Sequence, residues 1–184
     1  MANKALAVNN YNFTPDDDLL LDTNIWLFVY GPQKPDNEKV AIYSQALAKI
    51  LAAKCRIYID VLIVSEFINT YARLKWRLAV PHIHQFKDFR RNPVFKPIAR
   101  NIAADVKRVL KHCSWIVNGF ETLDIDGLID EYAAGDSDFN DRVIAALCKR
   151  RGLKLVTDDG DFSGQDIPVV TANRRLLNSV EKSV

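Results

Sequence analysis

Apolar residues recur along this chain in two patterns. Some form short dense runs. Others return every third or fourth position over longer stretches. The short runs Leu19–Asp22, Arg56–Ile59, Glu121–Ile125, Leu153–Thr157 and Ile167–Val170 predict five strands. Glu38–Lys54 carries Val40, Tyr43, Leu47, Ile50 and Leu51 on one face, which predicts a helix. Asp60 can cap a long helix from Val61 to about Leu78, which Pro81 ends. Ile25–Tyr30 reads as helix or turn up to Gly31-Pro32. The region 81–118 reads as helical, broken by Pro93 and Pro97, its last helix running from about Ile98 to Trp115. Asn118-Gly119 marks a turn, and Asp126–Ala134 is a short helix ending at Gly135. A helix over Asn140–Arg151, capped by Ser137 or Asp138, stops at Gly152, and Asn173–Val180 closes the chain. Residues 1–15 lack periodicity and read as a flexible arm or an added sheet edge.

Strands that alternate with helices imply βαβ units, hence an α/β fold with a parallel sheet and helices on both faces. The 184 residues suffice for one domain, with a core from about 17 to 175 and a helical elaboration over 76–120. A hydrophobic share of 48% beside 26% charged residues is ordinary for a globular chain. No apolar run approaches the ~20 residues of a membrane span, and the N-terminus lacks a signal-peptide core. Cys55, Cys113 and Cys148 are odd in number and without a CxxC pair, as expected of reduced thiols in a cytoplasmic protein. His82, His84 and His112 give no zinc signature.

Net charge is only +2, but it is unevenly distributed. Arg73 to His112 holds eleven Lys/Arg against two Asp, whereas the rest holds fourteen basic and twenty-one acidic residues. Such a division suits a surface for phosphates beside a cluster for cations. It equally suits a solvated helical face that happens to be basic.

The acids at strand ends and helix starts carry the chemistry. Strand carboxyl ends of a parallel sheet meet at one edge, where ligands bind. Carboxylates gathered there repel one another unless protons or hard cations intervene. Asp22 ends Leu19-Leu20-Leu21, and can also cap the next helix. Glu66 interrupts the apolar stretch Val61–Ile68, which reads as a helix buried all round, so a metal, a basic partner or a proton must balance it. Asp141 opens a helix whose cap is Asp138, so it is either a site acid or a complement to the helix dipole. Asp158, Asp159 and Asp161 follow the fourth strand, more like charges than a turn needs, and the Thr157 hydroxyl can orient a ligand.

The segments LLLDTNIWL, VLIVSEF, DFNDRVIAALCKRRGLKLVTDDGDF and IPVVTAN together resemble the PIN-domain nucleases, from about Leu19 to Asn173. That resemblance implies a three-layer αβα sandwich around a five-stranded parallel sheet. It implies Mg²⁺- or Mn²⁺-dependent hydrolysis of phosphodiester bonds, usually in RNA. Asp22, Glu66, Asp141 and Asp159 match the family's four acids, with Asp161 a common fifth metal ligand. Asn24 and Thr157 match supporting positions, whereas Asp138 and Asp158 have no firm counterpart. Many small members are toxins of VapC type, dimeric and held by an antitoxin, but this chain is longer than those through its basic segment.

Within that segment Lys87, Arg90, Arg91 and Lys96 interleave with Phe86, Phe89 and Phe95. The pattern suits phosphate pairing with base stacking, or rings that pack inserted helices onto the core. Two other readings compete with a nuclease. An aspartyl phosphatase wants a second acid where Asn24 stands. A catalytically silent PIN-like scaffold would bind RNA or protein without cutting. No phosphate-binding loop of the GxxxxGK[ST] type is present.

Overall fold

The computed structural model describes residues 5–32, 37–80, 82–117, 120–133 and 138–181. The sequence signals at Pro81, Asn118-Gly119, Gly135 and Ser137 lie outside these residues. Six strands, β1 (Ala5–Ala7), β2 (Asp18–Leu21), β3 (Arg56–Ile59), β4 (Ser114–Trp115), β5 (Lys154–Val156) and β6 (Val169–Thr171), form one sheet in the order β1-β6-β5-β2-β3-β4. Every strand pair is parallel. In the centre, Leu20 of β2 stands opposite Tyr58 of β3 and Leu155 of β5. Leu19, Leu20 and Leu21 have no exposed surface, because a central parallel strand is covered on both faces.

The helices are α1 (Thr23–Tyr30), α2 (Glu38–Ala52), α3 (Val61–Ala79), α4 (Phe86–Arg91), α5 (Phe95–Leu110), α6 (Ile125–Ala133), α7 (Phe139–Arg151) and α8 (Arg174–Glu181). They pack in two groups, α1 with α2 and α3 and α3 with α4 and α5, and separately α6 with α7. Asp60 caps α3 by accepting from Leu62 N at 2.9 Å. Gly152 ends α7 with φ 66°, a left-handed conformation that glycine adopts without steric penalty.

Five expectations are corrected among the described residues. The sheet has six strands, not five, because β1 adds an edge to β6 and β4 adds one to β3. Glu121–Ile125 is not a strand: a 3₁₀ turn covers Phe120–Thr122, and the Asp124 carboxylate accepts from Gly127 N at 3.1 Å at the start of α6. The helix expected to reach Trp115 stops at Leu110, and Ser114–Trp115 pairs with β3 instead, Ile116 N donating to Ile59 O at 2.9 Å. Pro97 does not break this helix, because it falls in the first turn, where a missing N–H costs nothing. Finally, α3 is not buried all round: Val61 is 65% exposed and Ile68 40%.

At the amino ends of the strands, Asp17 is buried. It accepts from Tyr11 Oη at 2.8 Å, from Thr14 N at 2.8 Å and from Lys154 Nζ. Burial alone raises its carboxyl group, but the bonds from Lys154, Thr14 and Tyr11 outweigh that and hold it below the usual range. This polar knot lies at the opposite end of the strands from the acids described next.

Candidate active site

The carboxyl ends of β2 and β5 lie side by side, since Leu21 pairs with Val156. The next residues, Asp22 and Thr157, therefore meet. Asp22 is 5% exposed and caps α1. Its Oδ1 accepts from Thr23 N at 2.6 Å, and its Oδ2 from Asn24 Nδ2 at 2.6 Å and from Thr157 Oγ1 at 2.6 Å. Both sequence roles thus fall on one side chain, which is cap and site acid together. Oδ1 accepts a single bond among the described residues and keeps a lone pair for a ligand.

Asn24 is the hinge of this end. Its Nδ2 reaches Asp22 and, at 3.1 Å, Thr157 Oγ1, while its Oδ1 accepts from Asp158 N at 3.2 Å. The neighbouring Thr23 donates its hydroxyl to Glu66 Oε2 at 3.1 Å, which ties α3 to the end of β2. Its link to Glu66 spans 43 positions, and no local pattern announces it.

The acids share one field. Burial pushes Asp22 up to about 6, against the bonds from Thr157 and Thr23, and the charges of Glu66 and Asp159 push it further. Asp141 is half-buried, and burial with the charges of Asp22, Asp159, Asp138 and Glu66 carries it up to about 7. Glu66 is exposed as a residue, yet its carboxyl end folds back to Thr23. Desolvation raises it, and the charges of Asp138 and Asp159 add to the rise. Asp159 follows Thr157 in the turn, its N donating to Thr157 Oγ1 at 3.0 Å and its Oδ1 accepting from Asp161 N at 3.0 Å. Asp138 is an exposed cap that accepts from Asn140 N at 2.8 Å. Asp161 is exposed at the rim of the turn.

Asp158 faces elsewhere. Its Oδ1 accepts from Lys39 Nζ at 2.7 Å and from Tyr43 Oη at 2.7 Å, and Ala172 N donates to the same Tyr43 oxygen at 2.9 Å. Sequence reasoning gave Tyr43 only a place on the apolar face of α2. Fully buried, it bolts α2 to the ends of β5 and β6. Tyr43→Phe is expected to lower stability by about 1–2 kcal/mol, because Ala172 N is left without its partner. An unchanged midpoint in urea denaturation would show that the hydroxyl is idle.

Three bases near the sheet are engaged elsewhere, Lys39 with Asp158, Lys154 with Asp17, and Arg142, next to Asp141, with Glu131, whereas Arg175 lies beside Gly160 of the acidic turn without an ion pair among the described residues. Among the described residues, none of the ion pairs neutralises Asp22, Glu66, Asp141 or Asp159. A cluster of carboxylates in which burial and neighbouring charge raise Asp22, Glu66 and Asp141, with oxygen donors only, fits a hard divalent cation chemically. In the present rotamers no three His, Cys, Asp or Glu side chains among the described residues close on a single point.

The predicted basic residues lie away from this edge. Lys87, Arg90 and Arg91 are on α4 and Lys96 is on α5, all exposed. The interleaved phenylalanines serve packing, the second of the two readings of that pattern. Phe89 has no exposed surface, and Phe86 and Phe95 lie against it at 5.9 and 5.2 Å between ring centroids. No described helix is long and apolar enough to cross a membrane.

A family model described as PIN domain matches residues 19–168, which takes in every acid of this site. No curated protein matches the chain significantly.

Proposed function

The chain belongs to the PIN-domain family, whose fold is of nuclease type, and from that premise we propose that it is a metal-dependent endoribonuclease. The observation that carries this reading is the gathering of Asp22, Glu66, Asp141 and Asp159 at the carboxyl ends of β2 and β5, where burial first and then neighbouring carboxylate charge raise Asp22, Glu66 and Asp141 and none of the ion pairs among the described residues neutralises them. Asp22, Glu66, Asp141 and Asp159 would hold Mg²⁺ or Mn²⁺, with Asp161 at the rim. A divalent cation so bound supplies a nucleophilic water near neutral pH and stabilises charge on a leaving oxygen. The remaining work falls to the chain. Asn24 and Thr157 fix the Asp22 carboxylate, Thr23 fixes Glu66, and the packed ends of β2 and β5 hold the acids in place. Hydrolysis would leave a 5′-phosphate and a 3′-hydroxyl.

The same proposal gives the basic helices to RNA and leaves room for a protein partner. The apolar groove between α3 and α5, floored by the buried Ala72 and Ile102 and rimmed by the exposed Ile68 and Ala103, offers a surface to an antitoxin segment or a second copy of the chain. In that setting the nuclease would be the toxin of a pair acting in the cytoplasm.

The test is to incubate the purified protein with labelled RNA in Mg²⁺ or Mn²⁺, and in parallel with excess EDTA. Cleavage is expected only with metal. Metal binding without cleavage of any RNA would move the reading to another phosphoryl transfer. Failure to bind metal at all would leave the silent scaffold.

A further inference from the structure

Four cations converge on one groove in the helical elaboration. Arg90 and Arg91 close α4, while Lys96 and Arg100 stand one turn apart on α5. All four are exposed, none has an ion-pair partner among the described residues, and no carboxylate lines the groove. Uncompensated cations so close together are the footprint of a polyanion.

A path leads there from the acidic edge. Glu66, Arg73 and Arg77 are seven and four residues apart on α3, so they share one stripe of the helix, and all three are exposed. The Arg73 guanidinium lies 4.7 Å from the centroid of Phe86, the first residue of α4. Trp76 packs on the same ring at 5.5 Å. At 1.5 Å rise per residue, Glu66 and Trp76 are about 15 Å apart along the axis. One strand of a stacked nucleic acid covers that length in about four nucleotides.

We propose that this groove binds the backbone phosphates of a single RNA strand, at least about four stacked nucleotides from the bond held at the acidic cluster, with Arg73 and Arg77 along the way. Recognition there is of phosphate rather than base, since Phe86, Phe89 and Phe95 are occupied with one another. The inference rests on the nuclease reading for what happens at the acids, but not for what happens in the groove.

The experiment compares the full chain with an Arg90→Gln/Arg100→Gln variant, both side chains being exposed and far from the core. Binding of labelled single-stranded RNA of about three and about twelve nucleotides is measured in EDTA over a range of salt, with polyglutamate as competitor. For the longer RNA the variant is expected to bind about tenfold more weakly, with a salt slope flatter by roughly 1.4, about 0.7 for each lost phosphate contact. The shorter RNA can enter the groove but cannot span both places, so in EDTA the variant is expected to bind it more weakly too, while the rate of metal-dependent cleavage falls more for the longer RNA than for the shorter. Equal slopes on the longer RNA would overturn the proposal, as would an equal fall in cleavage at both lengths. A loss seen for polyglutamate and not for RNA would also overturn it, in favour of an acidic protein. If the parent cuts no RNA in metal but the flatter salt slope persists, the nuclease reading fails and the groove stands.

Discussion

Asp22→Asn protein is expected to lose cleavage by about 100-fold or more, and in EDTA at pH 8 to be more stable than its parent by about 2 kcal/mol. The two effects have one origin. Asp22 is nearly inaccessible, and its carboxyl titrates about two units above its ordinary 3.8. Each unit is worth about 1.4 kcal/mol, so the charged form disfavours folding by about 3 kcal/mol once the pH exceeds 6. Asparagine removes that charge. It also places an amide where Oδ2 accepts from Asn24 and Thr157, which returns about 1 kcal/mol. The sign follows from proton counts. Between 3.8 and 6 the folded parent binds more protons at this group than the unfolded chain, so the parent's stability falls as pH rises through that window. At pH 5, inside that window, about half of the penalty is already present, so the advantage of the variant is expected to shrink to less than about 1 kcal/mol. Urea denaturation at pH 5 and 8 measures this. The same gap at both pH values would mean that the charge is not the cause, and a fully active variant would remove Asp22 from the chemistry.

Metal affinity should fall steeply below neutrality. Asp141 is raised to about 7 and Asp22 to about 6, and each must lose its proton to act as a ligand. Because the two groups sense each other, the steps belong to the cluster rather than to either residue. Apparent Mn²⁺ affinity is therefore expected to drop about tenfold per pH unit just below 7 and about 100-fold per unit below 6, as a second proton competes. Titration of Mn²⁺ between pH 5.5 and 8 reads this directly. An affinity flat across that range would show that these carboxylates are not the ligands.

Much of this arrangement was readable in the chain because burial writes itself into local composition. Leu19-Leu20-Leu21 is unbroken because the central strand is covered on both faces, and that run places Asp22 at the strand's end. The helices α2, α3 and α7 follow from their apolar periodicity and their caps. The errors arose where local pattern and tertiary partner disagree. Ser114–Trp115 is exposed and too short to show a pattern, and it is a strand only because β3 lies beside it. Glu121–Ile125 looks extended, but Asp124 turns it into a helix start. The phenylalanines of the basic segment found one another, which no single-chain reading could separate from stacking on bases. Asp158 and Asp159 show the limit most plainly. Successive residues of an extended turn point to opposite sides, so one acid meets Lys39 and Tyr43 while its neighbour joins the shared field.

The pairing of Ala5 with Val169, and of Asp22 with Thr157, also sets a timetable. A chain emerging from the ribosome presents β1 and Asp22 first, and both wait for partners made more than a hundred residues later. At the ~5–20 residues per second of synthesis, several seconds pass before the acids can assemble. Parallel sheets close only through such distant contacts. A nascent or truncated chain that lacks Thr157 and Asp159 therefore carries Asp22, Glu66 and Asp141 without the residues that complete the cluster, so the protein is built in a latent form.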